Sequence, residues 1–340
     1  MDILLLDSLV PEAHAWLEER HRVAVRLNLA GDPSATRKAI YKASAVVLPR
    51  KVVVTRELLD FAPLLMAIAR MHAGSDNTDL EACRERRVRV IQARTATVRS
   101  NAEFLLASLL LLYRRGIGTA LSGDRGAESK IGRELHGSVV GIFGLAPTAH
   151  TLAVMLNALG ARLVGYDPAV HSTAPMWARL KIQPVSLQEM LERSDAVSAQ
   201  VLYASRYRKF VNENVLSSCK PGQLWVGISR SELFEPLALA QALGDGRIEA
   251  AIFDGADAGF ASRGSPLHDV PNLFLTPRLG SYTVESRVRA SWYVAHRLHE
   301  ILTTPSNSGL DSFLSGPMEL DGPSAGTAGP ASGPGALGGR

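Results

Sequence analysis

The stretch VVGIFGLAPTAHTLAVMLNALGARLVGYD, residues 139–167, decides the fold. It opens on the apolar run of a buried strand, Val139 to Phe143, and then passes a glycine-containing turn. TAHTLAVMLNALG follows with the apolar spacing of a helix, and Gly160 stands where such a helix ends. A second apolar run, RLVGY, leads to Asp167. In a strand, turn, helix and parallel strand, the backbone N–H groups of the turn and the helix N-terminus face an anion, most often a pyrophosphate. The spacing that serves this turn is Gly-x-Gly-x-x-Gly, and here its three positions are Gly144, Ala146 and Ala149.

The departures can be weighed residue by residue. Ala146 adds one methyl beside the expected pyrophosphate, and the third position tolerates alanine in the ordinary pattern. Pro147 suits a first helical turn because its φ is already helical, but it removes one N–H. A lost donor to a charged group costs about 1–3 kcal/mol, roughly tenfold to a hundredfold in affinity. The Thr148 hydroxyl can return part of that. Asp167 lies 23 positions beyond Gly144, where a carboxylate meets ribose hydroxyls, and no arginine follows at once to receive a 2′-phosphate. NAD is therefore expected over NADP. A domain that keeps the turn and binds nothing stays open at this point.

Outward from this unit, short apolar runs alternate with amphipathic segments. Before it come ILLL (3–6), VAVRL (23–27), AVVLP (45–49), LMAIAR (65–70) and VRVIQ (88–92), then a long helix at about 100–118. After it come AVSAQV (196–201), QLWVGI (223–228), EAAIF (249–253) and NLFLT (272–276). Two doubly wound parallel-sheet modules in an α/β chain are expected, closed by a helix over 282–302 that returns to the first module. Beyond residue 315 the chain is Gly-, Pro-, Ser- and Ala-rich and is expected to be disordered, because it has too little apolar surface to offset its ordering entropy.

Bulk properties narrow the function classes. The 340 residues are 46% hydrophobic and 21% charged with a net charge of +4, the balance of a globular protein with room for two cores. Cys83 and Cys219 have no paired spacing, so neither a disulfide framework nor a zinc cluster is implied, and a cytoplasmic setting is expected. The opening MDILLLDSLVPEAHAW has no basic lead and does not read as a signal peptide, and FLLASLLLLY (104–113) is too short to span a membrane. RERR (84–87) and RYRK (206–209) read as solvated faces, so nucleic acid is not an expected partner. No Gly-x-Ser-x-Gly elbow, lysine-ended phosphate loop or metal-ligand spacing occurs, which sets aside hydrolase, kinase and metalloenzyme readings.

Several segments in order resemble the D-isomer-specific 2-hydroxyacid dehydrogenase family, which includes phosphoglycerate dehydrogenase. They are AGSDNTDLEA (73–82), SNAEFLLASLLLLYRR (100–115), GRELHGSVVGIFGL (132–145), GYDP (165–168), LQEMLERSDAVS (187–198), KPGQLWVGISR (220–230) and SPLHDVPNLFLTPRLG (265–280). The resemblance implies a Rossmann cofactor domain, residues 101–282, inserted in a flavodoxin-like substrate domain of residues 1–100 and 283–315, with 316–340 as tail. It implies a homodimer through the helix containing Phe104–Tyr113, and NAD held by Gly144, Ala146, Pro147, Thr148, Asp167, Ile228 and Asp254, the last at the nicotinamide carboxamide. It further implies a small 2-hydroxy or 2-oxo acid bound by the backbone of Ala73 and Gly74 and clamped by Arg230.

The reaction implied is hydride transfer between the nicotinamide and the hydroxyl-bearing carbon. The family moves the accompanying proton with a histidine whose pKa is held up by a glutamate. Here the histidine position is Arg278 and the glutamate position is Gly259. A guanidinium with a pKa above about 12 stabilises an oxyanion but hardly releases a proton, and losing a general acid costs about a hundredfold to ten-thousandfold in rate. Tyr282 reads as a helix-face tyrosine and Asp257 as a solvated loop carboxylate. The family's Arg-Gly is Arg230-Ser231, its usual asparagine is Gly227, and a customary proline is missing near Leu202. FDGADAG (253–259), with arginine for histidine, is also similar to the corepressor and angustifolia-like branch, where the fold binds and regulates. Impaired turnover and a catalytically inactive NAD-binding regulator are therefore the two expectations.

Overall fold

The computed structural model describes residues 1–72, 77–115 and 131–304. The disorder expected beyond residue 315 concerns residues outside this set. Five short strands form the first sheet: β1 (Ile3–Leu5), β2 (Val23–Val25), β3 (Ala45–Val47), β4 (Ala67–Arg70) and β5 (Arg89–Gln92). All pair in parallel, in the order β2-β1-β3-β4-β5, the flavodoxin-like order that the sequence implied.

Alternation along these strands builds two cores. Leu4, Val46 and Ile68 point to one face, where Ile40, Leu58, Leu59 and Cys83 of three short helices meet them. Ile3, Leu5, Val47 and Ala69 point to the other, against Leu17 and the helix Val284–Thr303 through Val294, Ala295, Leu298 and Ile301. That closing helix starts on a capping box between Thr283 and Ser286, and its apolar stripe returns to the sheet that begins the chain. Among the described residues no helix is long and apolar enough to cross a membrane.

The second sheet has seven parallel strands: β6 (Val139–Phe143), β7 (Arg162–Tyr166), β8 (Ile182–Pro184), β9 (Ala196–Ala199), β10 (Gln223–Gly227), β11 (Ile248–Asp254) and β12 (Leu273–Thr276). Their order is β12-β11-β10-β9-β6-β7-β8, so the chain winds one way from β6 and then the other from β9. This is the doubly wound arrangement, with its switch point between β6 and β9. β6 and β7 coincide with the two apolar runs that flank the turn. β8 was not anticipated: it is three residues long, ends in Pro184 and pairs only with β7, so neither length nor alternation marks it. In VAVRL the strand stops at Val25, because Leu27 begins a short 3-10 turn.

Three helices of this layer begin with proline. Pro147, Pro175 and Pro236 each occupy the first turn, where a missing N–H breaks no helical hydrogen bond. The helix Val98–Tyr113 packs on the helix Pro147–Ala158 and buries Leu105, Leu109 and Leu112, while Leu110 and Leu111 stay exposed. Within RYRK, Tyr207 is buried against Phe210, so that segment is only partly the solvated face expected.

Candidate functional site

At the switch point the turn after β6 is built by close backbone approach. Gly144 has φ of +98°, and a Cβ there would lie 2.6 Å from the Cα and N of Val201 and 2.8 Å from the carbonyl carbon of Gln200. Its N–H donates to Tyr166 O at 2.8 Å, and its carbonyl accepts from the buried Gln200 side chain at 3.1 Å. Glycine is thus required by the neighbouring strand exit, whatever lies in the crevice. Ala146 caps the helix without a side-chain hydrogen bond, Pro147 is its first residue, and Ala149 N turns inward to Ala146 O at 2.7 Å. Ala146 and Thr148 are both buried. This helix end therefore presents fewer donors than a glycine-rich turn would.

Asp167 sits directly across from this turn. Its Oδ2 accepts from Leu145 N at 2.6 Å and its Oδ1 from Ala169 N at 2.7 Å. Two bonds leave a carboxylate with further lone pairs, so the group is fixed in place and still able to accept ribose hydroxyls. Beside it opens a mostly apolar cavity of about 450 Å³ lined by Leu145, His150, Val170, Pro175, Met176 and Arg179. Burial, reinforced by the Arg179 charge, pulls the His150 imidazole below its usual pKa against the opposing bond to the Leu145 backbone. The volume lies within the range of small-molecule pockets, and a flat ring beside a fixed carboxylate fits it.

The residues expected on the substrate side, Arg230 and Arg278, follow β10 and β12. Arg230 follows β10 and leads into the 3-10 turn Ser231–Leu233. Its Nε and terminal nitrogen donate to the two oxygens of Glu232 at 3.1 and 2.8 Å, and its guanidinium lies 5.8 Å from the Tyr203 ring centre. The bond to Arg230 holds the Glu232 carboxyl down at about 2. Ser231 Oγ donates to Asp257, whose N–H donates back at 3.2 Å. Asp257 is exposed but belongs to this turn, which corrects its reading as a merely solvated carboxylate.

Arg278 adopts a left-handed backbone, φ 64° and ψ 37°, uncommon for a residue with a Cβ. Its side chain lies over Gly255, where a Cβ would be 3.0 Å from Arg278 Cγ. Asp254, 7% exposed, accepts from Thr276 Oγ1 at 2.6 Å, Leu279 N at 2.8 Å and Gly280 N at 3.0 Å. It is first of all the clasp that shapes the turn bearing Arg278. Ile228 continues β10 by donating to Ala199 O at 3.0 Å. Tyr282 lies before the closing helix, not on its face, and is 73% exposed. Ala73 and Gly74 lie outside the described residues.

Three residues that the sequence reading passed over belong to this crevice, Glu232, His150 and Arg179, and a fourth, Arg70, is buried in the first sheet. Arg70 ends β4 fully buried, donating to Thr78 Oγ1 and to the carbonyls of Pro49, Val52 and Asn77 at 2.9–3.1 Å. An arginine closing the apolar run LMAIAR was the available signal. Among the described residues no group of three or more His, Cys, Asp or Glu could hold a metal.

Residues 108–280 match the family model described as D-isomer specific 2-hydroxyacid dehydrogenase, NAD binding domain. The chain belongs to this family. Similar proteins include the (S)-sulfolactate dehydrogenase of Chromohalobacter salexigens, 29% identical over 305 residues, covering 88% of this chain and 98% of that one. The D-3-phosphoglycerate dehydrogenase of Mycobacterium tuberculosis is 33% identical over 297 residues, 86% of this chain and 55% of that one, so the chain spans about half the length of that relative. Among solved structures, the TT0316 protein of Thermus thermophilus superposes with a TM-score of 0.76 at 27% identity, covering 89% of this chain and 97% of that one. NAD is the family's cofactor, and the residues present fit it: Asp167 is fixed at the switch point beside the cavity containing His150, and Arg230, Asp254 and Arg278 stand at the ends of neighbouring strands.

Proposed function

We propose that this dehydrogenase-family chain binds NAD and a small 2-hydroxy or 2-oxo acid and interconverts them by hydride transfer at a rate impaired by the missing proton relay. The nicotinamide, when bound, gives or takes the hydride. Asp167 accepts from the ribose, the turn Gly144–Thr148 backs the pyrophosphate, and Ile228 and Asp254 border the nicotinamide. Arg230 holds the acid with Ala73 and Gly74, and Arg278 steadies negative charge on the reacting oxygen.

The observation that carries this reading is the position of Arg278. It follows β12 in the turn that Asp254 clasps, with its side chain against Gly255. A guanidinium, unlike an imidazole, stabilises an alkoxide without readily delivering a proton. Position 259, where the family resemblance puts the relay glutamate, is an exposed glycine with nothing within 4 Å of an added Cβ.

The same observation favours a second reading, an inactive NAD-binding regulator or corepressor-like protein in which Arg230 and Arg278 hold an acid that is not turned over. NADH fluorescence titration and NADH oxidation with a panel of 2-oxo acids separate the two. Saturable oxidation above background supports the enzyme, whereas NADH binding without any oxidation supports the regulator. Absence of NADH binding at millimolar concentration refutes both.

The proposal extends to organisation. Residues 1–100 and 283–315 act as the substrate-holding half, residues 101–282 as the cofactor half, and a homodimer forms in the cytoplasm through the helix that exposes Leu110 and Leu111.

A further inference from the structure

An arginine that receives an acid offers it a two-pronged edge, and in this chain a carboxylate already occupies the Nε edge of Arg230. Glu232, two residues on across a 3-10 turn, takes the Arg230 Nε and a terminal nitrogen at 3.1 and 2.8 Å, the paired geometry a bound carboxylate uses. We propose that Glu232 is a built-in competitor for the acid site, a carboxylate that an incoming anionic ligand must displace from Arg230. This rests on the reading of Arg230 as the acid clamp given above.

Three observations make the contact a movable gate. The Glu232 backbone is pinned, since its carbonyl accepts from Lys209 N at 2.7 Å, while its side chain is 36% exposed and has water to turn towards. Arg230 is 34% exposed and lies beside the Tyr203 ring, so its guanidinium keeps a platform while its partner changes. Next to the pair, the Ser231 hydroxyl donates to Asp257, which places a second carboxylate beside the clamp. Glu232 and Asp257 thus set two carboxylates at the Arg230 clamp, and an entering anion meets less negative charge once Glu232 swings out. Arg230 holds the Glu232 carboxyl down to about 2, with a smaller hydrogen-bond contribution from Asp257, so mild acidification does not open the gate.

The test is isothermal titration of the NADH-loaded protein with oxalate, a dicarboxylate that cannot be reduced by hydride at this site. Glu232→Gln keeps the shape and removes the charge, and Glu232→Ala serves as a second variant with the same expected direction. Both are expected to bind oxalate at least about tenfold more tightly than the unaltered chain, with the difference constant from pH 5 to 8. Glu235→Gln, which removes a carboxylate 3.5 Å from Lys209 at the cap of the following helix, is expected to change nothing. Adding Arg230→Gln to Glu232→Gln is expected to erase the gain. Equal or weaker oxalate affinity in the Glu232 variants refutes the gate and leaves the acid-binding site standing. If no form of the protein takes oxalate while NADH still binds, the gate and the acid site fall together.

Discussion

Replacing Gly144 by alanine separates two explanations for the first glycine of the turn. A Cβ on this residue would meet Val201 Cα and N at 2.6 Å and Gln200 C at 2.8 Å, all backbone atoms that cannot rotate away. The φ of +98° adds a penalty of its own for an L side chain. Left-handed strain contributes about 1–2 kcal/mol and forced overpacking about 1–3 kcal/mol, so the variant loses about 2–5 kcal/mol. At about 2–4 °C per kcal/mol for a domain of this size, the melting temperature falls by roughly 4–20 °C. Gly246→Ala is the matched control, because its φ is +81° but nothing lies within 4 Å of the added atom, so only the strain remains. Calorimetric melts of the two variants, with NADH titrations on each, complete the experiment. If Gly144→Ala melts within a degree of Gly246→Ala, the clash argument is wrong. If it keeps full stability yet loses NADH, the glycine is there for the ligand and not for the sheet.

Asp254→Asn places an amide where one carboxylate accepts three hydrogen bonds, leaving at least one of Thr276 Oγ1, Leu279 N and Gly280 N without an acceptor. A loss of about 1–3 kcal/mol in urea unfolding is expected, along with weaker NADH binding. Arg278→His alone is expected to raise 2-oxo acid reduction little, whereas Arg278→His with Gly259→Glu, a position with open space, is expected to raise it about a hundredfold or more by restoring both halves of a proton relay. An equal rate in both variants would show that the relay is not what limits turnover. The two thiols are expected to be inert in the folded chain: burial pushes Cys83 up to about 11 and Cys219 up to about 12. At pH 8 only about one Cys83 in a thousand is thiolate. A thiol reagent should therefore react quickly with both cysteines only after unfolding, and rapid native reaction would contradict their placement.

The order of apolar runs and helix-period segments along the chain was enough to announce two parallel sheets, because a strand buried on both faces must be apolar throughout and its crossover must be amphipathic. β6, the turn, the helix opened by Pro147, β7 and Asp167 were all legible for that reason. So were Arg278 and Gly259 themselves, since a residue type is written directly in the chain. What each side chain touches was not. Gly144 is demanded by Val201, Asp254 is claimed by a turn more than twenty residues later, and Arg230 is filled by Glu232 only because a 3-10 turn folds the two together. These facts depend on distances between backbones that come close only after the sheet has assembled. Periodicity reports which face of an element is buried, whereas the partner met on that face is chosen by tertiary packing.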